Sequence, residues 1–307
     1  FVGTQGGGVY VSTNNGLNWT RIINGLTNLT VKAFITSGNN LFAGTSGGVF
    51  LSSNNGNSWS AKNNGLTNVN VNTLLAVGTY LYAGTSNAGG GIFISTNSGT
   101  SWNLSNSGLT NINIYSLLSL STNLYAGTGG GIFSSTNNGL NWTPVNSGLT
   151  NLTINTLASS GINMIAGTYG GGIFVSSNNG ANWYQRNQGL GNPYLRFLLV
   201  TSNFVYAGTS GSSVWIRSVD EVFNFIPLGI DAGDDTTIYY GYGNQTATLT
   251  SAVTGGEGPY SYLWSNGATS QTINNLHAGT YQVSITDAMG CVATASATVS
   301  EPPQITV

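Results

Sequence analysis

Only 5% of the 307 residues are charged, against a usual share of about a quarter, while 45 are glycine. That excludes a coiled coil, a charge-rich disordered tail and a basic nucleic-acid binder; no apolar run approaches the roughly 18 residues of a membrane-spanning helix. The charges are segregated: all six basic residues (Arg21, Lys32, Lys62, Arg186, Arg196, Arg217) lie before residue 219 and all eight carboxylates (Asp220, Glu221, Asp231, Asp234, Asp235, Glu257, Asp287, Glu301) lie after it.

This +6/−8 division places a domain boundary near residues 220–229 and gives two domains, 1–228 and 229–307. Phe1 falls in the middle of a strand-like stretch and Val307 follows Pro302-Pro303, so the sequence reads as a mature or trimmed piece of a longer protein. The single cysteine, Cys291, permits no internal disulfide and reads as a small buried apolar side chain.

The first domain is a repeat. A Gly-Thr pair recurs at Gly3, Gly44, Gly84, Gly127, Gly167 and Gly208, and Trp19, Trp59, Trp102, Trp142 and Trp183 keep step at spacings of 40, 43, 40 and 41. Each unit holds four short apolar stretches, in the third unit Val71 to Val77, Tyr80 to Gly84, Gly91 to Ser95 and Trp102 to Leu104. Four strands per unit of about 40 residues is the period of a β-propeller blade. The first unit lacks its leading strand, and the last is expected to place its fourth strand at Val222 to Leu228. Six blades is the simplest count, with room for a seventh.

The third and fourth strands are joined by Ser12-Thr-Asn14-Asn-Gly16-Leu-Asn-Trp19, which returns around Asn54, Asn97, Asn137 and Asn178. A short polar side chain bonding backbone two residues on, followed by a glycine free to take positive φ, predicts a tight hairpin turn. The motif resembles the Asp-box, or BNR, repeat of sialidases, sortilin-like receptors and related propellers, with asparagine at the aspartate position in all five copies. The resemblance implies that these asparagines are structural and lie opposite the ligand pocket.

From Gly229 the pattern changes to alternating strands over Thr246 to Ser251, Ser261 to Ser265, Thr280 to Asp287 and Val292 to Val299, the spacing of a small antiparallel sandwich. The strings Tyr260-Ser-Tyr-Leu-Trp264, Ala278-Gly-Thr-Tyr281, Thr286-Asp287-Ala-Met-Gly290-Cys291 and Glu301-Pro-Pro303 resemble the Ig/PKD-like repeat domain of large secreted adhesins of gliding Bacteroidota. The resemblance implies an extracellular or cell-surface location, in a bacterium, and a stalk-like role.

Catalytic chemistry is poorly supplied. Glycoside hydrolysis needs paired carboxylates or a tyrosine with a carboxylate partner, and the first 219 residues hold no carboxylate. His277, the single histidine, sits in a turn-like Asn275-Leu-His277-Ala-Gly279. The Gly-rich stretches at 6–8, 89–91, 129–131 and 170–172 lack the helix and lysine of a phosphate loop and read as hairpins. Asp231, Asp234 and Asp235 could attract calcium but read as a solvated acidic loop. No enzyme, metal or cofactor is expected.

One column varies while its neighbours stay constant. Lys32, Asn72, Tyr115, Asn155 and Arg196 follow the apolar Val31, Val71, Ile114, Ile154 and Leu195, with loop asparagines at Asn28, Asn68, Asn111, Asn151 and Asn192 before them. Amides, a phenol and cations without carboxylates suit neutral or acidic sugars. These five are the candidate ligand-binding residues, at the mouth of a central channel. The expected function is a secreted, surface structural or adhesive protein whose partners are surface glycans or other protein chains, self-association included; nucleic acid and membrane insertion of this segment are not expected. The alternative is a lectin-like propeller.

Overall fold

Short apolar stretches separated by Gly/Asn turns can only fold back on their immediate neighbours, so each repeat becomes one antiparallel meander. The computed structural model describes residues 1–211, 214–223, 228–239, 246–256, 259–287 and 292–302. They divide into two compact units, Phe1–Phe223 and Asn224–Val307.

Among the described residues the first unit holds six such sheets, the blades of a β-propeller. Blade 1 has three strands (Val2–Thr4, Gly8–Val11, Thr20–Arg21) and lacks the inner one. Blades 2 to 5 have four strands each, paired in chain order, with inner strands Val31–Ser37, Val71–Val77, Ile114–Leu120 and Ile154–Ser160. In blade 3 the rest are Tyr80–Thr85, Ile92–Ser95 and Asn103–Leu104. Blade 6 has Leu195–Val200, Phe204–Thr209 and Val214–Ser218. Inner strands of successive blades touch in chain order from blade 2 to blade 6.

The core is a series of wedges between blades. Between blades 4 and 5, Leu120, Tyr125, Ile132, Ile154, Leu157, Phe174 and Trp183 close on one another, and each earlier junction has an equivalent cluster. The constant glycine of the Gly-Thr pair follows from this packing. A Cβ on Gly44, Gly84 or Gly127 would stand 2.8, 2.6 or 2.8 Å from the Val71, Ile114 or Ile154 side chain of the next blade. The adjacent threonine is fully buried and closes the hairpin, Thr45 Oγ1 donating to the Gly48 carbonyl at 2.9 Å and accepting from Gly47 N–H at 3.0 Å.

The turn box is built as follows. Ser95 Oγ donates to Asn97 Oδ1 and accepts from the amides of Asn97 and Gly99, while Asn97 Oδ1 accepts from Ser101 N–H at 2.9 Å. The asparagine therefore bonds backbone four residues on, where two was expected; the two-residue bond is made by its own amide to the serine. Ser98 at φ 56° and Gly99 at φ 78° carry the reversal. Trp59, Trp102 and Trp183 follow their boxes and donate Nε1–H to carbonyls of the preceding blade, those of Ile22, Lys62 and Val145.

Of the fourth strand expected at Val222 to Leu228, the first two residues, Val222 and Phe223, are helical instead. Val219–Phe223 is a short helix, and 224–227 lie outside the described residues. Ser218-Val-Asp-Glu221 is a capping box: Glu221 N–H donates to Ser218 Oγ at 3.2 Å and Ser218 N–H to Glu221 Oε2 at 3.1 Å, which favours helix start over strand. Val222 and Trp215 then cover blade 5 in place of a box tryptophan, with Trp215 Nε1 donating to the Gln188 carbonyl at 3.0 Å.

In the second unit a four-stranded sheet takes Thr236–Thr237, Val292–Ser300, Gly279–Thr286 and Ser261–Trp264 in spatial order, the first pair parallel and the others antiparallel. Gly229–Asp231 pairs with Ala252–Thr254, and Ala247–Thr250 with Thr272–Leu276. Leu249, Ile273 and Leu276 share one core with Trp264, Val283, Ile285 and Val299, the filling of a β-sandwich. Cys291 and Glu257 lie outside the described residues.

Candidate functional site

The five candidate positions share one backbone device. In every inner strand the register slips beside the candidate residue: between Val31 and Ala33, Val71 and Thr73, Ile114 and Ser116, Ile154 and Thr156, and Leu195 and Phe197. Lys32, Asn72, Tyr115, Asn155 and Arg196 are thus the extra residues of five β-bulges. A bulge takes its residue out of the ladder and re-aims the side chain.

Most of these side chains reach the next blade. Asn72 Nδ2 donates to the Ile114 carbonyl at 3.0 Å and Asn155 Nδ2 to the Leu195 carbonyl at 2.8 Å. Lys32 Nζ donates to Asn70 Oδ1 at 2.6 Å and Asn72 Oδ1 at 2.9 Å, joining two of the candidates directly. Partial burial holds its ammonium below the ordinary lysine pKa. The Tyr115 side chain has no hydrogen bond among the described residues. Arg196 donates to Ser210 Oγ at 3.3 Å and lies 5.1 Å from the centre of the Tyr169 ring.

The loop asparagines fold the backbone that presents this column. Oδ1 of Asn28, Asn68, Asn111, Asn151 and Asn192 each accepts from the amide two residues on, at 2.9–3.1 Å, an Asx turn at the head of each inner strand. Asn68, Asn151 and Asn192 also donate to carbonyls in the loop between second and third strands.

Two residues escaped the sequence reading. Tyr169 and Tyr194 form an isolated β-bridge, with ring centres 4.9 Å apart and planes at 70°. The signal was present in the columns: Tyr169 stands where other blades have Gln5, Ser46, Ser86, Gly129 or Ser210, and Tyr194 where they have Thr30, Asn70, Asn113 or Thr153.

Elsewhere, a cleft of about 380 Å³ on the outer side of blades 3 and 4 is lined by Tyr80, Leu104, Asn106, Asn138 and Leu140 among others, away from the bulge column. In the second unit Asp231 accepts from Gly233 N–H and Asp235 from Thr298 N–H, so both shape local backbone. His277 lies between two strands, its carbonyl accepting from the Tyr281 hydroxyl at 3.1 Å. Among the described residues no three His, Cys, Asp or Glu side chains cluster as a metal site, and no helix is long and apolar enough to cross a membrane.

No curated protein matches the sequence. Solved structures do. The extracellular domain of the putative hybrid two-component system BT3049 from B. thetaiotaomicron is 16% identical with a TM-score of 0.64, aligning 98% of this chain with 48% of that one. PorZ, an essential surface component of the type-IX secretion system of Porphyromonas gingivalis, is 13% identical with a TM-score of 0.57, aligning 97% with 50%. AFV00434, an ancestral GH74 enzyme, is 21% identical with a TM-score of 0.53, aligning 91% with 36%. The chain spans half or less of the length of each, and at these identities the likeness is one of fold. The family model described as DUF6242 beta propeller domain matches residues 1–107 and again 79–194, well over half of the chain. The chain therefore belongs to the DUF6242 β-propeller domain family.

Proposed function

We propose that this chain is a non-catalytic interaction protein of a bacterial cell surface, with residues 1–228 as a rigid, adhesive propeller and 229–307 as an Ig/PKD-like stalk repeat. The observation that carries the reading is the make-up of the bulge column: five re-aimed side chains, two amides, two cations and a phenol, in a propeller with no carboxylate before Asp220. Glycosidic bond cleavage draws on a carboxylate pair. Asp220 and Glu221 lie on the short helix after blade 6, and Glu221 is engaged with Ser218 and Arg217, its carboxyl held below the usual range by the Ser218 amide first and by Arg217 less.

Three resemblances support the rest. The turn box resembles that of Asp-box propellers with asparagine for aspartate, the second unit's sequence strings resemble those of secreted adhesin repeats, and two of the similar structures are a surface component and an extracellular domain. The similar GH74 enzyme belongs to the same fold and keeps hydrolysis as the reading to beat. The test is to incubate the full chain with a panel of chromogenic glycosides and, fluorescently labelled, with intact bacterial cells and a polysaccharide array. No turnover and saturable retention on cells or array is the expected result; turnover, or retention on neither, sinks the proposal.

A further inference from the structure

Three variable columns of the repeat change together at one place. At the junction of blades 5 and 6 two positions that hold no aromatic in the other blades become Tyr169 and Tyr194, and the bulged residue becomes Arg196. None of the three belongs to the apolar cluster between these blades, which is built from Ile165, Ile173, Val175, Leu195, Val205 and Ala207 with Val222. Tyr169 and Tyr194 remain 43% and 44% exposed, and neither hydroxyl has a hydrogen bond among the described residues. Two large aromatic side chains kept in water, in positions that polar residues or glycine fill elsewhere, add little to the apolar core.

Arg196 completes the arrangement. Its guanidinium sits at cation-π distance from Tyr169 and is steadied by Ser210 Oγ, with no ion pair among the described residues. A stacked guanidinium with an open fork is suited to a planar carboxylate. The backbone around it is already committed: Tyr169 N–H donates to Thr153, Gly170 and Gly172 N–H to Pro193, and Ser210 N–H to Tyr194. A peptide strand would therefore find no ladder to join. What the surface offers is two aromatic faces, two phenol groups and one cation. A pyranose with an apolar C–H face, peripheral hydroxyls and a single carboxylate meets all of these.

We propose that Tyr169, Tyr194 and Arg196 form a binding site for an acidic sugar, a hexuronate unit of a surface polysaccharide, with the sugar ring stacked on the tyrosines and its carboxylate on Arg196. The proposal rests on reading the propeller as a surface-interaction module and names what it would hold.

The test is calorimetric titration of the full chain with trigalacturonate, its methyl ester and neutral galactotriose. Trigalacturonate is expected to bind, the ester and the neutral trisaccharide at least about tenfold more weakly. Arg196→Gln should abolish that preference, and Tyr169→Ala or Tyr194→Ala should remove binding while leaving the thermal midpoint near the wild-type value, since both rings are exposed. Equal affinity for acid and ester, a preference that survives Arg196→Gln, or equally tight binding of an acidic hexapeptide would each overturn the acidic-sugar site. If trigalacturonate is ignored while the labelled chain is still retained on cells, this site alone falls. If both fail, the reading beneath it falls as well.

Discussion

At the outer end of blades 2 to 5 the turn is always Ser-x-Asn-x-Gly-x-x-Trp, with the same serine and asparagine bonds in every copy; at the inner end of the same blades the bulged residue is lysine, asparagine, tyrosine and asparagine in turn. Both features recur with the blade, and both reach a neighbouring blade. They differ in what each must satisfy. The box bonds to its own backbone and drives a tryptophan into the preceding blade, so no part of it can change alone. The bulge needs only a side chain long enough to leave the ladder, because its backbone geometry is set by the Asx turn before it and the Gly-Thr strand beside it. Constancy at one end marks scaffold, and freedom at the other marks the surface on which one blade can be made unlike the next.

The comparison breaks most visibly where the outer tryptophan is removed. Trp183 is 2% exposed, donates to Val145 and fills the wedge between blades 4 and 5. Trp183→Ala should cost about 3–5 kcal/mol in a denaturant melt. Trp19 has the same motif, but it is 45% exposed and its Nε1 donates within its own turn, to the Gly16 carbonyl; Trp19→Ala should cost about 1 kcal/mol or less. Equal costs would mean that the motif, and not the wedge, sets the stability.

Gly148→Ala should come next. Gly148 has φ 87°, and a Cβ there would meet the Trp183 carbonyl at 2.2 Å, against backbone that cannot yield cheaply. A loss of roughly 2–3 kcal/mol is expected from strain and displaced packing, while Gly161→Ala, with φ 57° and open space around it, should lose only about 1 kcal/mol from backbone strain. Two asparagines then sharpen the contrast between blade ends. Asn97→Ala strips acceptors from Ser95 and Ser101 and should cost about 1–2 kcal/mol. Asn155→Ala loses a single bond to the Leu195 carbonyl and should cost about 1 kcal/mol or less. An Asn155 variant as damaging as the Asn97 one would move the bulge column from surface to scaffold.

The propeller was legible because its signals repeat: one Gly-Thr pair is weak, whereas six at a period of about 40 residues fix the strands of blade 3 to within a residue at most ends. The bulge column was also readable, as variation between constant neighbours. Its geometry was not, because a register slip leaves no mark on residue type. Where the repeat ends, periodicity misleads. The start of the fourth strand expected at Val222 to Leu228 lost to a capping box at Ser218 and Glu221, a local helix signal present in the sequence. In the second unit Thr272–Leu276 went unseen, since Asn275 at φ 59° interrupts the two-residue alternation that marks a strand. Tyr169 and Tyr194 were missed for a different reason: each lies outside the aligned column, and only the fold brings them together.

The smallest effect concerns one hydroxyl shared between the two ends. Tyr82 of blade 3 is buried and donates to the Asn138 carbonyl in the turn box of blade 4 at 3.2 Å. Burial, and secondarily the neighbouring Tyr80, push its phenol up to about 12 from an ordinary value of 10.0. In the unfolded chain the group ionises first, so its contribution is fully present below pH 10 and is lost as pH rises towards about 12. Tyr82→Phe should lower the thermal midpoint slightly at neutral pH, by the loss of about one hydrogen bond, and should flatten the alkaline fall in stability over that window. The same position in blade 2 is Phe42, equally buried, so the wedge already accommodates a ring without the hydroxyl. Parallel alkaline slopes for wild type and variant would show that Tyr82 ionises as freely folded as unfolded, and that the seam between blades 3 and 4 admits water where the close packing of the wedge excludes it.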